Sequence, residues 1–137
     1  LILGSNGMLG HMVKLYLEQF YEIETINYKI TETSTRAEDD KTMADFFLEI
    51  KDVSESKNCT NAENWRYVEY GSKACGGPIA YMAYSIQINT KDFLNKVEVY
   101  TALEKKFNTK WSIISDCGIT PFPKSIKCVN NKAELFY

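Results

Sequence analysis

The hydrophobic positions of this chain change their period as the sequence advances. A short aliphatic run, Leu1 to Leu3, breaks into a glycine-bearing turn, "GSNG". Apolar residues then recur at helical spacing at Met8, Leu9, Met12, Val13, Tyr16, Leu17 and Phe20, and "YEIETINY" alternates as a strand does. The first thirty residues therefore predict strand, turn, helix, strand. The pattern then stops: "TETSTRAEDDKT" holds almost no apolar residue, so it cannot bury enough surface to offset its ordering entropy. Residues 31–58 are expected to form an acidic linker, with a domain boundary inside it. "MADFFLEIKDV", within that stretch, fits a short helix or an edge strand, and the pattern does not choose between them.

From residue 59 onward the elements are shorter. "WRYVEYGSK" alternates large and polar residues as a half-buried strand, and "CGGP" after it supplies a tight turn at Gly76 and Gly77 before Pro78. "IAYMAYSIQI" suits either a strand or a helical turn. In "NTKDFLNKVEVYTALEKKFN", Phe93, Leu94, Val97, Tyr100, Leu103 and Phe107 fall on one helical face. Asn89 or Thr90 can cap the start of that helix, and Lys105, Lys106 and Lys110 suit its C-terminal dipole. "KWSIISDC" is expected as a strand beneath it. A proline-stiffened loop then leads to a hairpin turning at Asn130 and Asn131, which tolerate positive φ. These residues predict an α+β domain over 59–137, a small antiparallel sheet with one packed amphipathic helix, preceded by a partial Rossmann-like β-α-β segment.

Composition narrows the possible roles. The 137 residues are 45% hydrophobic, enough for one core, with a net charge of −2. That balance offers no basic field for nucleic acid or for an anionic membrane. No apolar run reaches the roughly 20 residues of a membrane-spanning helix. The charge is unevenly spread: two basic residues against three acidic over 1–30, four against eight over 31–58, and ten against seven over 59–137.

In the first segment, Gly4 would make a tight turn, Gly7 would let the backbone approach a pyrophosphate, and Gly10 would let helix and strand pack closely. "LILGSNGMLGHMVKLYLEQ" followed by "YEIETINY" resembles the amino-terminal segment of extended short-chain dehydrogenases/reductases, of the dTDP-4-dehydrorhamnose reductase type. The resemblance implies NAD(P) on the glycine turn. Asn27, Tyr28 and Lys29 stand where that family selects its cofactor, so NADP is the form implied, with Lys29 facing the 2′-phosphate. The catalytic pattern of the family, a Tyr with a Lys four residues later, occurs nowhere in the chain. A complete reductase is thereby excluded, and an NAD(P)-binding fragment lacking its catalytic residues is the alternative that remains.

The four cysteines, Cys59, Cys75, Cys117 and Cys128, all follow the acidic stretch. An even number in a small domain predicts two disulfides over reduced thiols. No Cys-x-x-Cys spacing supports a metal, and the one histidine, His11, lies in the other segment. The simplest of three connectivities pairs Cys59 with Cys75 and Cys117 with Cys128. The series "C…W…GSKACGGP…YMAYS…SDC…P…C" resembles small secreted or lipoprotein-type bacterial domains, which implies a secreted, periplasmic or cell-envelope location. A native glycine segment would instead imply the cytoplasm, so a fusion of two unlike pieces is also expected.

No catalytic residue is assigned: Cys75 has no basic partner in sequence, and nothing in their spacing makes Glu98 and Asp116 a carboxylate pair. Trp65, Tyr67, Tyr70, Tyr81 and Tyr84 are the aromatic residues able to line a groove for a protein or a small ligand, or else to pack a core. The expectation is a non-enzymatic, disulfide-stabilised domain with a binding or structural role.

Overall fold

The polar run before Met43 is the start of a helix. In the computed structural model, which describes residues 28–137, the Thr35 hydroxyl accepts the Glu38 N–H and the Glu38 carboxylate accepts the Thr35 N–H, a reciprocal cap. Helix α1 (Arg36–Ser54) follows from it. Its Met43, Phe46 and Ile50 return at intervals of three and four and are all buried. The expected acidic linker over 31–58 is therefore corrected. Glu38 and Asp39 sit in the first turn, where the helix dipole favours them, and the exposed polar residues cover the solvent face of an element whose other face is core. The same finding settles "MADFFLEIKDV" as helix and places that helix in one core with the elements after residue 59.

A single 3-10 turn (Ala62–Asn64) leads into strand β1 (Trp65–Tyr70), which pairs antiparallel with β2 (Ala80–Ser85). Helix α2 (Thr90–Lys110) is capped by the Asn89 side chain, which accepts the Asp92 N–H. Strands β3 (Ser125–Val129) and β4 (Lys132–Phe136) form a second antiparallel pair. Asn130 and Asn131 close it with φ of 53° and 65°, the two positive values a two-residue hairpin of this kind requires.

The core lies between the two helices and one face of β1–β2. Phe46 stacks on Tyr28 at 4.5 Å and meets Tyr100 edge-on at 5.6 Å, while Tyr84 leans on Phe93 at 5.1 Å. Val68, Tyr70 and Met82 close it from the sheet side. The mixed α+β class expected from the sequence holds. Among the described residues, two antiparallel pairs stand where a single sheet was expected, and two helices where one packed helix was expected. Gly4, Gly7, Gly10 and the strand-helix-strand of residues 1–27 lie outside the described residues.

Two further expectations are corrected. "KWSIISDC" is not a strand: α2 continues to Lys110, Trp111 caps it, and Ser112 turns the chain at φ 51°. Its alternation fails to make a strand because neither side meets a partner, and Ile114 is 92% exposed. The cysteine pairing also differs. Cys59 bonds to Cys128 with Cα atoms 5.3 Å apart, and Cys75 to Cys117 at 5.5 Å, both in the ordinary range. The β3–β4 hairpin returns to residue 59, where the Cys59 N–H donates to the Asn131 carbonyl at 2.8 Å. The short loops that favoured Cys59–Cys75 and Cys117–Cys128 count for less than this tertiary approach. Closing 69 and 42 residues, the two bonds each remove roughly 4 kcal/mol of denatured-chain entropy in the loop-closure account.

Candidate functional site

Alternation along β1 and β2 divides the aromatic residues between two faces. Register pairs Tyr67 with Ala83 and Glu69 with Tyr81, so these residues share one face with Trp65, while Val68, Tyr70, Met82 and Tyr84 share the other. The expected groove of Trp65, Tyr67, Tyr81 and Tyr84 is accordingly split. Tyr84 is spent on the core against Phe93, and Tyr67 meets Tyr81 edge-on at 5.7 Å. Period-two reasoning places Tyr84 opposite Tyr67 and Tyr81, but only the packing of α2 shows which face is the core.

Trp65 and Tyr81 instead contribute to a cleft of about 560 Å³ between the end of α1, the β1–β2 pair and β4. That size suits a small organic ligand or a few residues of a peptide. Phe47, Tyr70 and Met82 give it an apolar wall; Lys51, Asn58, Asn131, Lys132 and Glu134 supply donors and acceptors around it. Trp65 is 5% exposed, so its ring is a fixed part of the wall. Burial raises the Tyr81 phenol above its ordinary pKa, and the Glu69 carboxylate and the Tyr67 and Tyr137 phenols push the same way. Burial likewise raises Tyr70, with Glu104 adding to it. Both phenols are therefore neutral near pH 7 and can donate a hydrogen bond into the cleft.

A second cleft, of about 620 Å³, lies where the turn after β1 rests on α2. Its geometry is that of a clamp. The Gly71 N–H donates to Thr101 Oγ1 at 3.0 Å, the Ser72 N–H to Glu104 Oε1 at 2.8 Å, and Asn108 Nδ2 to the Ser72 carbonyl at 2.8 Å. Thr101, Glu104 and Asn108 thus occupy one stripe of α2 and satisfy the backbone of a loop that has no strand partner there. Burial raises the Glu104 carboxyl pKa and the Ser72 N–H offsets it only in part. Glu98 lines this cleft, whereas Asp116 sits 88% exposed beside Lys73 at 3.6 Å. The two carboxylates belong to different places, and nothing joins them as an acid–base pair.

Sequence reasoning gave Asp39 no role. It is fully buried, accepts Ser34 Oγ at 2.6 Å, Lys110 Nζ at 2.8 Å and the Trp111 indole N–H at 2.9 Å, and ties the entry of α1 to the end of α2. Burial pushes its carboxyl pKa up, but the hydrogen bonds from Lys110, Ser34 and Trp111 outweigh that and hold it below the ordinary value. Every oxygen is committed to a structural partner, so this is an anchor. Within a stretch read as a linker it gave no signal, and two of its partners, Lys110 and Trp111, lie more than 70 residues away.

Lys29 is exposed, between Tyr28 and Ile30, which turn inward to the core. All four cysteines are in disulfides, and among the described residues no group of three or more His, Cys, Asp or Glu could hold a metal ion. No helix among them is long and apolar enough to cross a membrane. Compared with protein-family models, curated proteins and solved structures, the chain finds no match.

Proposed function

We propose that this disulfide-stabilised domain is a non-enzymatic binding module working outside the cytoplasm, with the Trp65–Tyr81 cleft as its ligand site. The observation that carries this reading is the composition of the cleft wall. A fixed indole, two neutral phenols and a methionine stand beside amides and lysines, a union of apolar surface with a few orienting polar groups that suits recognition. Two disulfides fit an oxidising compartment, where such bonds persist.

The test is nitrogen-15 NMR of the full chain against a set of small-molecule fragments and short peptides. Shift changes should gather on the Trp65 indole and the Asn58 and Asn131 amides. A Tyr81→Ala variant should weaken every hit by roughly tenfold, the worth of about one well-placed ring. Hits that settle elsewhere, or that ignore Tyr81→Ala, would overturn the assignment.

A further inference from the structure

The loop between α2 and β3 inverts the usual order of a folded surface. Ile114 is 92% exposed, Ile119 91% and Phe122 70%, although the backbone carrying them is firmly held. The Ile113 N–H donates to the Asn108 carbonyl, Cys117 is bonded to Cys75, and Lys73 Nζ reaches the Gly118 carbonyl at 2.7 Å. Further on, Thr120 Oγ1 donates to the Pro78 carbonyl and the Lys124 N–H to the Phe136 carbonyl. Polar bonds and a disulfide fix the loop, and three of its large apolar side chains are left in water. Such an arrangement forfeits burial that a free loop would seek by collapsing inward.

We infer that this loop docks the domain on a lipid bilayer surface rich in anionic headgroups, with Ile114, Ile119 and Phe122 entering the interfacial layer. Charge supports this occupant. The net −2 of the whole chain averages an acidic α1 with a basic tail: from residue 105 onward there are six lysines against two acids, and of the six only Lys110 is spent on the buried Asp39. Lys124 and Lys127 are exposed just beyond the loop. Asp116, the carboxylate within the loop, has Lys73 beside it at 3.6 Å, and Glu134 stands across from Lys127 in the hairpin register. The surface is distinct from the Trp65–Tyr81 cleft, touching it only where Phe122 leans on Tyr81 at 5.7 Å, so the two proposals can fail separately.

The experiment is co-sedimentation of the full chain, disulfides intact, with vesicles of phosphatidylcholine alone and of phosphatidylcholine and phosphatidylglycerol in equal parts. The protein should pellet with the mixed vesicles and weaken as salt rises. The triple variant Ile114→Ser, Ile119→Ser, Phe122→Ser should lose on the order of a hundredfold in partitioning with unchanged circular dichroism, since Ile114 and Ile119 are almost wholly exposed and Phe122 is 70% exposed beside the Tyr81 ring. Lys124→Gln with Lys127→Gln should cost roughly fivefold per charge on mixed vesicles. No pelleting with either vesicle, or a triple variant that pellets as the parent does, overturns the proposal. Equal binding to both vesicles overturns the need for anionic lipid. Self-association without lipid that the triple variant abolishes reassigns the loop to a contact between copies of the chain.

Discussion

The helical and strand-bearing halves of this molecule are held together by different means. Where α1 and α2 meet, Phe46, Ile50, Phe93 and Val97 are buried, and the polar link across the interface, Asp39 with Lys110 and Trp111, is fully bonded. No disulfide lies there. The β3–β4 pair contains no buried residue, and each sheet has only two strands, fewer than independent stability in water requires. Both disulfides join parts of this second half: Cys59 binds the segment after α1 to β3, and Cys75 binds the turn after β1 to the apolar loop. Covalent bonds stand in where side-chain burial is too small, which lets the strand half keep apolar and aromatic residues at its surface.

The sharpest way to break that comparison is to remove the disulfides one at a time. Loop closure alone makes them nearly equal, at roughly 4 kcal/mol each. Their surroundings do not: Cys59 is 2% exposed, whereas Cys75 and Cys117 are both exposed. Replacing Cys59 and Cys128 by Ala should cost about 4 kcal/mol or more in urea unfolding, because packing is lost along with the cross-link. The Cys75→Ala, Cys117→Ala variant should lose less. Hydrogen exchange should then quicken in residues 112–124 while the amides of α1 and α2 remain protected. Equal losses for the two pairs would mean that burial adds nothing to the cross-link.

Gly71 tests the clamp by which the strand half rests on α2. Its φ is +79°, and an added Cβ would come within 2.7 Å of Glu104 Oε1 and 3.1 Å of the Ile79 side chain. Gly71→Ala should cost about 1–3 kcal/mol in the same unfolding measurement, combining backbone strain with displacement of the Glu104 carboxylate from the Ser72 N–H. A neutral substitution would show that the loop shifts freely on the helix.

Asp39 gives a slope in place of a loss. Its folded pKa lies below the unfolded value, so the stability it contributes is complete above the unfolded carboxylate range and disappears as pH falls through the folded pKa. Glu104 has the opposite sign: its raised pKa takes stability away as pH rises through the folded value. Unfolding free energy followed downward from about pH 5 should therefore fall for the parent. Asp39→Asn should flatten that decline by the uptake of a single proton, and Glu104→Gln should leave it in place. An unchanged acid limb in Asp39→Asn would place the proton uptake elsewhere.

Much of the local architecture was legible because it rests on near neighbours. The Asn89 cap and apolar stripe of α2, the strand at "WRYVEY" and the Asn130–Asn131 turn all depend on residues within a few positions of one another, whereas "IAYMAYSIQI" suited a strand or a helical turn until its pairing with β1 decided it. The capping box of α1 was equally local. It was hidden by composition, since a helix with one buried face and many acids resembles a linker when only the acids are weighed. Of the aromatic residues expected to share a groove, the structure brings Trp65 and Tyr81 to one cleft, leaves Tyr67 outside its lining and packs Tyr84 on Phe93, because a strand period separates two faces without saying which one is core.

By itself, then, the sequence determined the capped α2 and the Asn130–Asn131 turn, that four cysteines would form two bridges, and the mixed α+β class. Tertiary structure decided which cysteines meet, that α1 belongs to the core, that Asp39 joins residues more than 70 positions apart, and that Ile114, Ile119 and Phe122 face water. The physical reason is range. Caps and turns are set by bonds a few residues long, whereas cysteine partners and buried faces depend on which surfaces the packed helices bring together.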